Sequence, residues 1–250
     1  MRALWRLSRG LVHALVGYAT IQLRFSRLPQ EQRNLRVQLW AGRMLTLLGI
    51  ELVIYGKPPQ QGPMLLVANH ISWLDILVMH AARHCRFVSK SDVKRWPLIG
   101  TLATGAGTLY IERESRRDAM RVVHHMAHSL HNNEIVAIFP EGTTSDGVSM
   151  LPFHANLLQA AVSTQCLAQP VALRFVDPQT GQTSLAPCYI GDDTLFGSIW
   201  RTLTAPGIKA VVRYGRPQHA QGRDRRRFAS DLRDAVEALR AQPEGEAARD

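Results

Sequence analysis

Met64-Leu65-Leu66-Val67-Ala68-Asn69-His70-Ile71-Ser72-Trp73-Leu74-Asp75 is the stretch from which the rest of the chain is read. Its first five residues form an unbroken apolar run behind Gly62-Pro63, which predicts a strand buried on both faces. Ser72, followed three residues later by Asp75 and then by Ile76-Leu77-Val78-Met79, has the capping-box pattern, so a helix is predicted to start at Ser72. His70 falls in the loop between strand and helix. On one continuous helix, residues five apart point about 140° away from each other and could not meet. From a loop before the cap, the His70 ring can fold back over the first turn to reach the Asp75 carboxylate. A carboxylate on one ring nitrogen would leave the other free to take a proton from a hydroxyl. The competing reading is that Asp75 only caps the helix and His70 only bonds within a turn.

Outward from this unit the apolar pattern repeats. Runs at 52–55, 86–89, 108–111, 135–139, 171–175 and 210–212 join 64–68 as predicted strands, with helical patterns between several of them. Helices are expected from Asp118, behind a second capping box in Ser115-Arg116-Arg117-Asp118, to His131, and over 155–164 and 224–241. That alternation predicts an α/β fold with a mostly parallel central sheet flanked by helices.

Before the first strand lie two basic amphipathic segments. Residues 10–23 are mostly apolar, carry Arg2, Arg6 and Arg9 ahead of them and Arg24 and Arg27 behind, and are too few for a membrane span. Pro29 ends that helix, and a second is expected over 31–48 with Arg33, Arg36 and Arg43 at its flanks. Residues 1–49 are therefore expected to form an amphipathic helical hairpin lying in a membrane interface, or a hairpin packed on the core, and the two roles are compatible. Residues 50–241 would be the α/β domain and 242–250 a polar tail.

Composition narrows the partner. The chain of 250 residues has a net charge of +10, which favours an anionic surface, either nucleic acid or anionic lipid. No nucleic-acid reading motif or stacking surface accompanies that charge, so a nucleic-acid partner is not expected. Cys85, Cys166 and Cys188 are widely spaced and odd in number, against both a disulfide framework and a zinc ribbon.

Three further segments could carry chemistry. Phe139-Pro140-Glu141-Gly142-Thr143-Thr144-Ser145-Asp146-Gly147 follows a strong strand and could offer N–H groups and hydroxyls to a phosphate or an oxyanion, or be a plain loop with an Asp-Gly turn. Arg113 follows a strand at the same predicted edge and could bind phosphate or lie solvated. His124, His128 and His131 share a helical flank, but no carboxylate or cysteine joins them, and no metal is expected. Neither a G-x-S-x-G elbow nor a Walker A loop is present.

Taken together and in order, these blocks resemble the lysophospholipid acyltransferase family, in particular its 1-acyl-sn-glycerol-3-phosphate acyltransferases. Asn69-His70 through Asp75 looks like the family's N-H-x-x-x-x-D block. Gly107 through Arg113, Phe139 through Thr143, and Gln169-Pro170-Val171-Ala172-Leu173 look like the blocks that follow, and Lys90, Pro97 and Gly100 match the spacing between the first two. The resemblance implies His70 as general base, Asp75 as its orienting partner, and Asn69, Arg113, Glu141, Gly142 and Thr143 as acceptor-binding residues. It also implies acyl-CoA or acyl carrier protein as donor with no further cofactor, a lysophospholipid acceptor acylated at its sn-2 hydroxyl, and a place on the cytoplasmic face of an inner membrane. Two features depart from the pattern: Thr144 stands where the family often has arginine, and the segment Pro152-Phe153-His154-Ala155-Asn156 lacks the glycine often found there. Thr144 leaves another lysolipid open as acceptor, lyso-ornithine lipid for example. A non-catalytic basic membrane-binding module is the reading from a different class.

Overall fold

The computed structural model describes residues 1–111 and 116–243, with the backbone alone for 116–119. Arg113 and the capping box that begins at Ser115 therefore lie outside the described residues or their described side chains.

In chain order the elements are helices α1 (Arg2–Arg24) and α2 (Gln30–Leu48), strands β1 (Ile50–Tyr55) and β2 (Met64–Ala68), α3 (Leu74–Ala82), β3 (Arg86–Lys90), α4 (Ile99–Gly105), β4 (Leu109–Ile111), α5 (Arg116–His131), β5 (Ile135–Ile138), α6 (Gln159–Thr164), β6 (Leu167–Val176), α7 (Leu195–Thr204), β7 (Ile208–Tyr214) and α8 (Arg225–Ala241). The strands form one sheet in the order β1-β7-β6-β2-β5-β3-β4. Every pairing is parallel except β6 with β7, which is antiparallel. The expected α/β fold with a mostly parallel sheet is the fold observed.

β2 lies between β5 and β6, with Val67 opposite Ile138 and Ala68 opposite Val171. All five of its residues are buried, and alternate ones enter different cores. Met64, Leu66 and Ala68 pack with Met44, Leu45, Val78 and Leu203 from α2, α3 and α7. Leu65 and Val67 pack on the opposite face with Val122, Met126, Ala160 and Phe228 from α5, α6 and α8. Two covered faces and two paired edges explain why this strand reads as a continuous apolar run. Truncating Leu65 or Leu66 to alanine in such a setting costs about 2–5 kcal/mol.

Residues 1–49 are helical as expected, and they also share the core of the sheet: Ala3, Ala14, Met44 and Leu48 belong to the same buried cluster as Leu66 and Leu173. Arg6 donates to the carbonyls of Leu203 and Ala205 at 3.0 Å each, which ties the start of α1 to the end of α7. Among the described residues no helix is long and apolar enough to cross a membrane.

Three local features differ from the sequence reading. Ser72 is not the N-cap of α3, which begins at Leu74 after Trp73 and without a side-chain cap. Ser72 Oγ does accept from Leu74 N at 3.2 Å, but it also donates to the carbonyl of Pro187, a partner more than a hundred residues away. Pro170, just ahead of the predicted strand 171–175, lies inside β6, at the point where pairing passes from β2 to β7. A residue without an N–H is tolerated there because the strand is exchanging partners. Helices α4 and α7 escape the sequence reading, the first because seven residues containing two glycines and two threonines carry too little apolar periodicity.

In the last turn of α3 and just ahead of β3 two histidines are buried as neutral rings. Burial pushes the His80 ring down to about 3, with His84 adding repulsion. Burial likewise takes His84 down to about 4, although its Nε2 donates to the Ala106 carbonyl at 3.1 Å. Both values lie below that of an unfolded histidine, about 6.5, so the unfolded chain binds the extra protons. The stability that these rings contribute is complete above pH 6.5 and is lost as the pH falls toward 4 and then 3. Unfolding free energies measured by denaturant titration from pH 7.5 to 4.5 are expected to fall below pH 6.5, by up to about 1.4 kcal/mol per pH unit for each ring. His80→Leu should flatten part of that slope, and an unchanged slope would remove the ring as its source.

Candidate active site

β2 ends at Ala68, and the chain leaves the sheet through Asn69. The Asn69 side chain takes over the ladder that the backbone abandons: its Oδ1 accepts from Leu173 N at 2.8 Å and its Nδ2 donates to Leu173 O at 3.1 Å. With 1% exposure its amide faces β6, not a cleft, and it anchors the point where the His70 loop departs.

His70 and Asp75 meet. His70 Nδ1 lies 2.7 Å from Asp75 Oδ2, the His70 side chain being 19% exposed and that of Asp75 fully buried. The same Oδ2 accepts from the backbone N–H groups of Ile71 at 2.6 Å and Ser72 at 2.9 Å. The reach of Asp75 back to Ser72 N is half of a capping box, so capping and ring orientation are done by one oxygen. With the carboxylate as acceptor, Nδ1 carries the proton and Nε2 the lone pair. The imidazole is held in its other dimension by Phe139, whose ring stacks on it at 4.0 Å and 6°. Phe87 stacks behind Phe139 at 5.4 Å, and His80 meets Phe87 edge-on at 5.1 Å.

The loop after β5 secures the backbone of the same residue. His70 N donates to Glu141 Oε1 at 2.7 Å, while His70 O accepts from Ser145 N at 2.8 Å and from Ser145 Oγ at 3.1 Å. The other Glu141 oxygen accepts from Leu151 N at 2.8 Å, and the residue is 3% exposed. Burial pushes the Glu141 carboxyl above the usual range, against the pull of the two N–H groups. Both Glu141 oxygens accept from backbone N–H groups, so the carboxylate braces the His70 loop. Gly142 and Thr143 are exposed at the tip of this loop. Gly142 has φ of +75°, and a Cβ there would come within 3.1 Å of the His154 ring, so the position favours glycine twice over.

A third segment completes the enclosure. Tyr189 N donates to Ile71 O at 3.3 Å, Thr144 Oγ1 donates to Tyr189 O, and Trp73 Nε1 donates to Ser198 Oγ at 3.1 Å. Residues 185–198 thus bear on the His70 loop, although they lie more than a hundred positions away and carry no recognisable motif. Phe139, Ser145 and Tyr189 are the contributors that residue-by-residue reading passes over. Phe139 has a signal, since it opens the Phe139-Pro140-Glu141-Gly142-Thr143 block, whereas Tyr189 has none. His124, His128 and His131 stay apart from the site: His128 Nε2 lies 3.2 Å from Asn132 Nδ2, and among the described residues no group of three or more potential ligands is placed to hold a metal. An open groove of about 510 Å³ lined by Asp177, Leu185, Arg201 and Pro206 contains none of the expected site residues.

A histidine held by a carboxylate at the carboxyl end of a buried strand, with no nucleophilic side chain among the described residues bonded to its ring, suits proton abstraction from a substrate hydroxyl. The comparisons define the class of protein: the Acyltransferase family model matches residues 50–174, and the chain belongs to that family. It is an acyltransferase of lysolipid type. A protein named lyso-ornithine lipid O-acyltransferase from Pseudomonas aeruginosa is 37% identical over 94% of this chain and 92% of its own length. The 1-acyl-sn-glycerol-3-phosphate acyltransferase of Neisseria meningitidis serogroup B is 32% identical over 84% of this chain and 82% of its own. The crystal structure of the 1-acyl-sn-glycerophosphate acyltransferase PlsC from Thermotoga maritima shares the fold, with a TM-score of 0.62 at 19% identity, covering 95% of this chain and 98% of that one.

Proposed function

We propose that this enzyme acylates the free hydroxyl of lyso-ornithine lipid, using an acyl thioester of CoA or acyl carrier protein as donor. His70 Nε2 takes the hydroxyl proton as the oxygen attacks the thioester carbonyl. The tetrahedral intermediate then collapses, the C–S bond breaks, and the departing thiolate recovers the proton from His70. Asp75 steadies the imidazolium throughout.

The observation that carries the acceptor is position 144 in the loop after β5, where threonine stands and the family often has arginine. Residues 141–149 hold two carboxylates, Glu141 and Asp146, and no cation, and Thr144 spends its hydroxyl on Tyr189. Glu141 is spent on backbone N–H groups and Arg240 donates to the carbonyls of Gly147 and Val148, so what the loop lacks for a phosphate acceptor is a cation of its own at position 144. The identity and coverage of the Pseudomonas relative support the same acceptor. A second reading, 1-acyl-sn-glycerol-3-phosphate to phosphatidate, is supported by the Neisseria relative and by the resemblance of Arg113 to the family's second block. Purified enzyme given one labelled acyl thioester and the two acceptors in parallel is expected to acylate lyso-ornithine lipid at least ten times faster. Product from 1-acyl-sn-glycerol-3-phosphate alone would install the second reading, and product from neither would favour a non-catalytic module.

The enzyme's place belongs to the same proposal. Leu4, Trp5, Leu11, Val12, Leu15, Val16 and Leu23 are exposed along α1, and Arg2, Arg9, Arg24, Arg27, Arg36 and Arg43 are exposed beside them. An apolar stripe rimmed by arginines, with Glu31 the one acid of residues 1–49, suits a helix lying in the interface of an anionic membrane, here the cytoplasmic face of an inner membrane.

A further inference from the structure

We propose that residues 94–99 form a second membrane contact, which sets the carboxyl edge of the sheet, and with it His70, against an anionic bilayer. This rests on the interfacial reading of α1 and adds a separate surface to it. Lys90 ends β3 at that edge, residues Ser91–Arg95 make one turn of 3-10 helix, and Trp96 and Pro97 lead into α4. Lys94, Arg95 and Pro97 are exposed, Trp96 is 45% exposed and Ile99 39% exposed. The backbone works to keep them so. Leu98 has φ of 62° and ψ of −57°, a region that a leucine enters only at a cost, and this turn tucks Leu98 against the core while Trp96 and Ile99 remain outside. A half-exposed indole beside two cations is the composition of a membrane-interface anchor.

Charge and continuity name the occupant. Between residues 90 and 107 the cations are Lys90, Lys94 and Arg95 and the one acid is Asp92, which suits lipid phosphates. α4 is seated directly on α1: a Cβ on Gly105 would lie 2.5 Å from Ile21 Cδ1, and Ala106 shares a buried cluster with Phe25 and Val37. The distance from the α1 stripe to Trp96 is therefore set by rigid packing, and a bilayer that receives one has the other beside it.

The test uses nitroxide labels, since Cys85, Cys166 and Cys188 are buried at 0%, 6% and 4% exposure and an introduced thiol takes the label. Full-length Trp96→Cys, Leu15→Cys and Ser230→Cys proteins are labelled singly and mixed with vesicles of phosphatidylglycerol and phosphatidylcholine. Collision with oxygen is compared with collision with a water-soluble nickel chelate. The labels at 96 and 15 are expected to gain oxygen and lose nickel accessibility together, and the label at 230, on the opposite face, to change in neither. A label at 15 that enters the bilayer while the label at 96 stays in water overturns the proposal and leaves the α1 reading standing. Failure of both overturns both. Spin broadening at 96 without vesicles, rising with protein concentration, would assign the surface to a second copy instead. As an independent measure, Lys94→Gln and Arg95→Gln should each weaken vesicle binding about five-fold at low salt, and unchanged binding of the double variant counts against the contact.

Discussion

His70→Ala is expected to lower the rate of acyl transfer by about 10²–10⁴-fold, the range for removal of a positioned general base. Stability should hardly move. The side chain is partly exposed, its loss leaves the Phe139 face open to solvent, and the His70 peptide remains bonded to Glu141 and Ser145. The loss should appear in kcat, because the proton is taken only as the hydroxyl attacks. Acyl transfer and thermal melting on the same preparation decide it. A variant with more than a tenth of wild-type activity and an unchanged melt would take His70 out of the base role.

The second large effect separates the two duties of Asp75. In Asp75→Asn the amide oxygen can still accept from Ile71 and Ser72, and the amide nitrogen can sit where Oδ1 now lies buried without a partner. The fold is expected to persist while activity falls about 10²–10⁴-fold, since a neutral amide, although its oxygen can still accept from Nδ1, does not steady an imidazolium. Asp75→Ala instead leaves two buried N–H groups without an acceptor, at about 1–3 kcal/mol each. Its melting temperature should drop by on the order of 10 °C. If asparagine were fully active and alanine merely unstable, Asp75 would be a cap and nothing more.

The dyad was legible because strand, loop and helix are contiguous: twelve adjacent residues carry the apolar run, the histidine and the carboxylate, and local geometry alone brings the pair together. Glu141 was legible as important but its bonding was not. Its type and place after β5 suit a ligand contact, and only the fold shows that its oxygens go to His70 N and Leu151 N. Asn69 is similar: it stands beside the histidine in sequence, yet its amide works on β6, over a hundred residues away.

From the sequence by itself came the seven strands, the helical hairpin, and the His70–Asp75 pair, since each depends on periodicity or spacing within a few turns of chain. Tertiary structure decided how the histidine is held. The order of strands places β5 and β6 on either side of β2, so that Phe139, Glu141 and Ser145 arrive from one neighbour and Leu173 from the other. Tyr189 follows from the segment beyond β6. Contacts between residues 70 to 120 positions apart leave no periodic trace in the sequence, because they are made by the sheet's crossings and not by its local pattern.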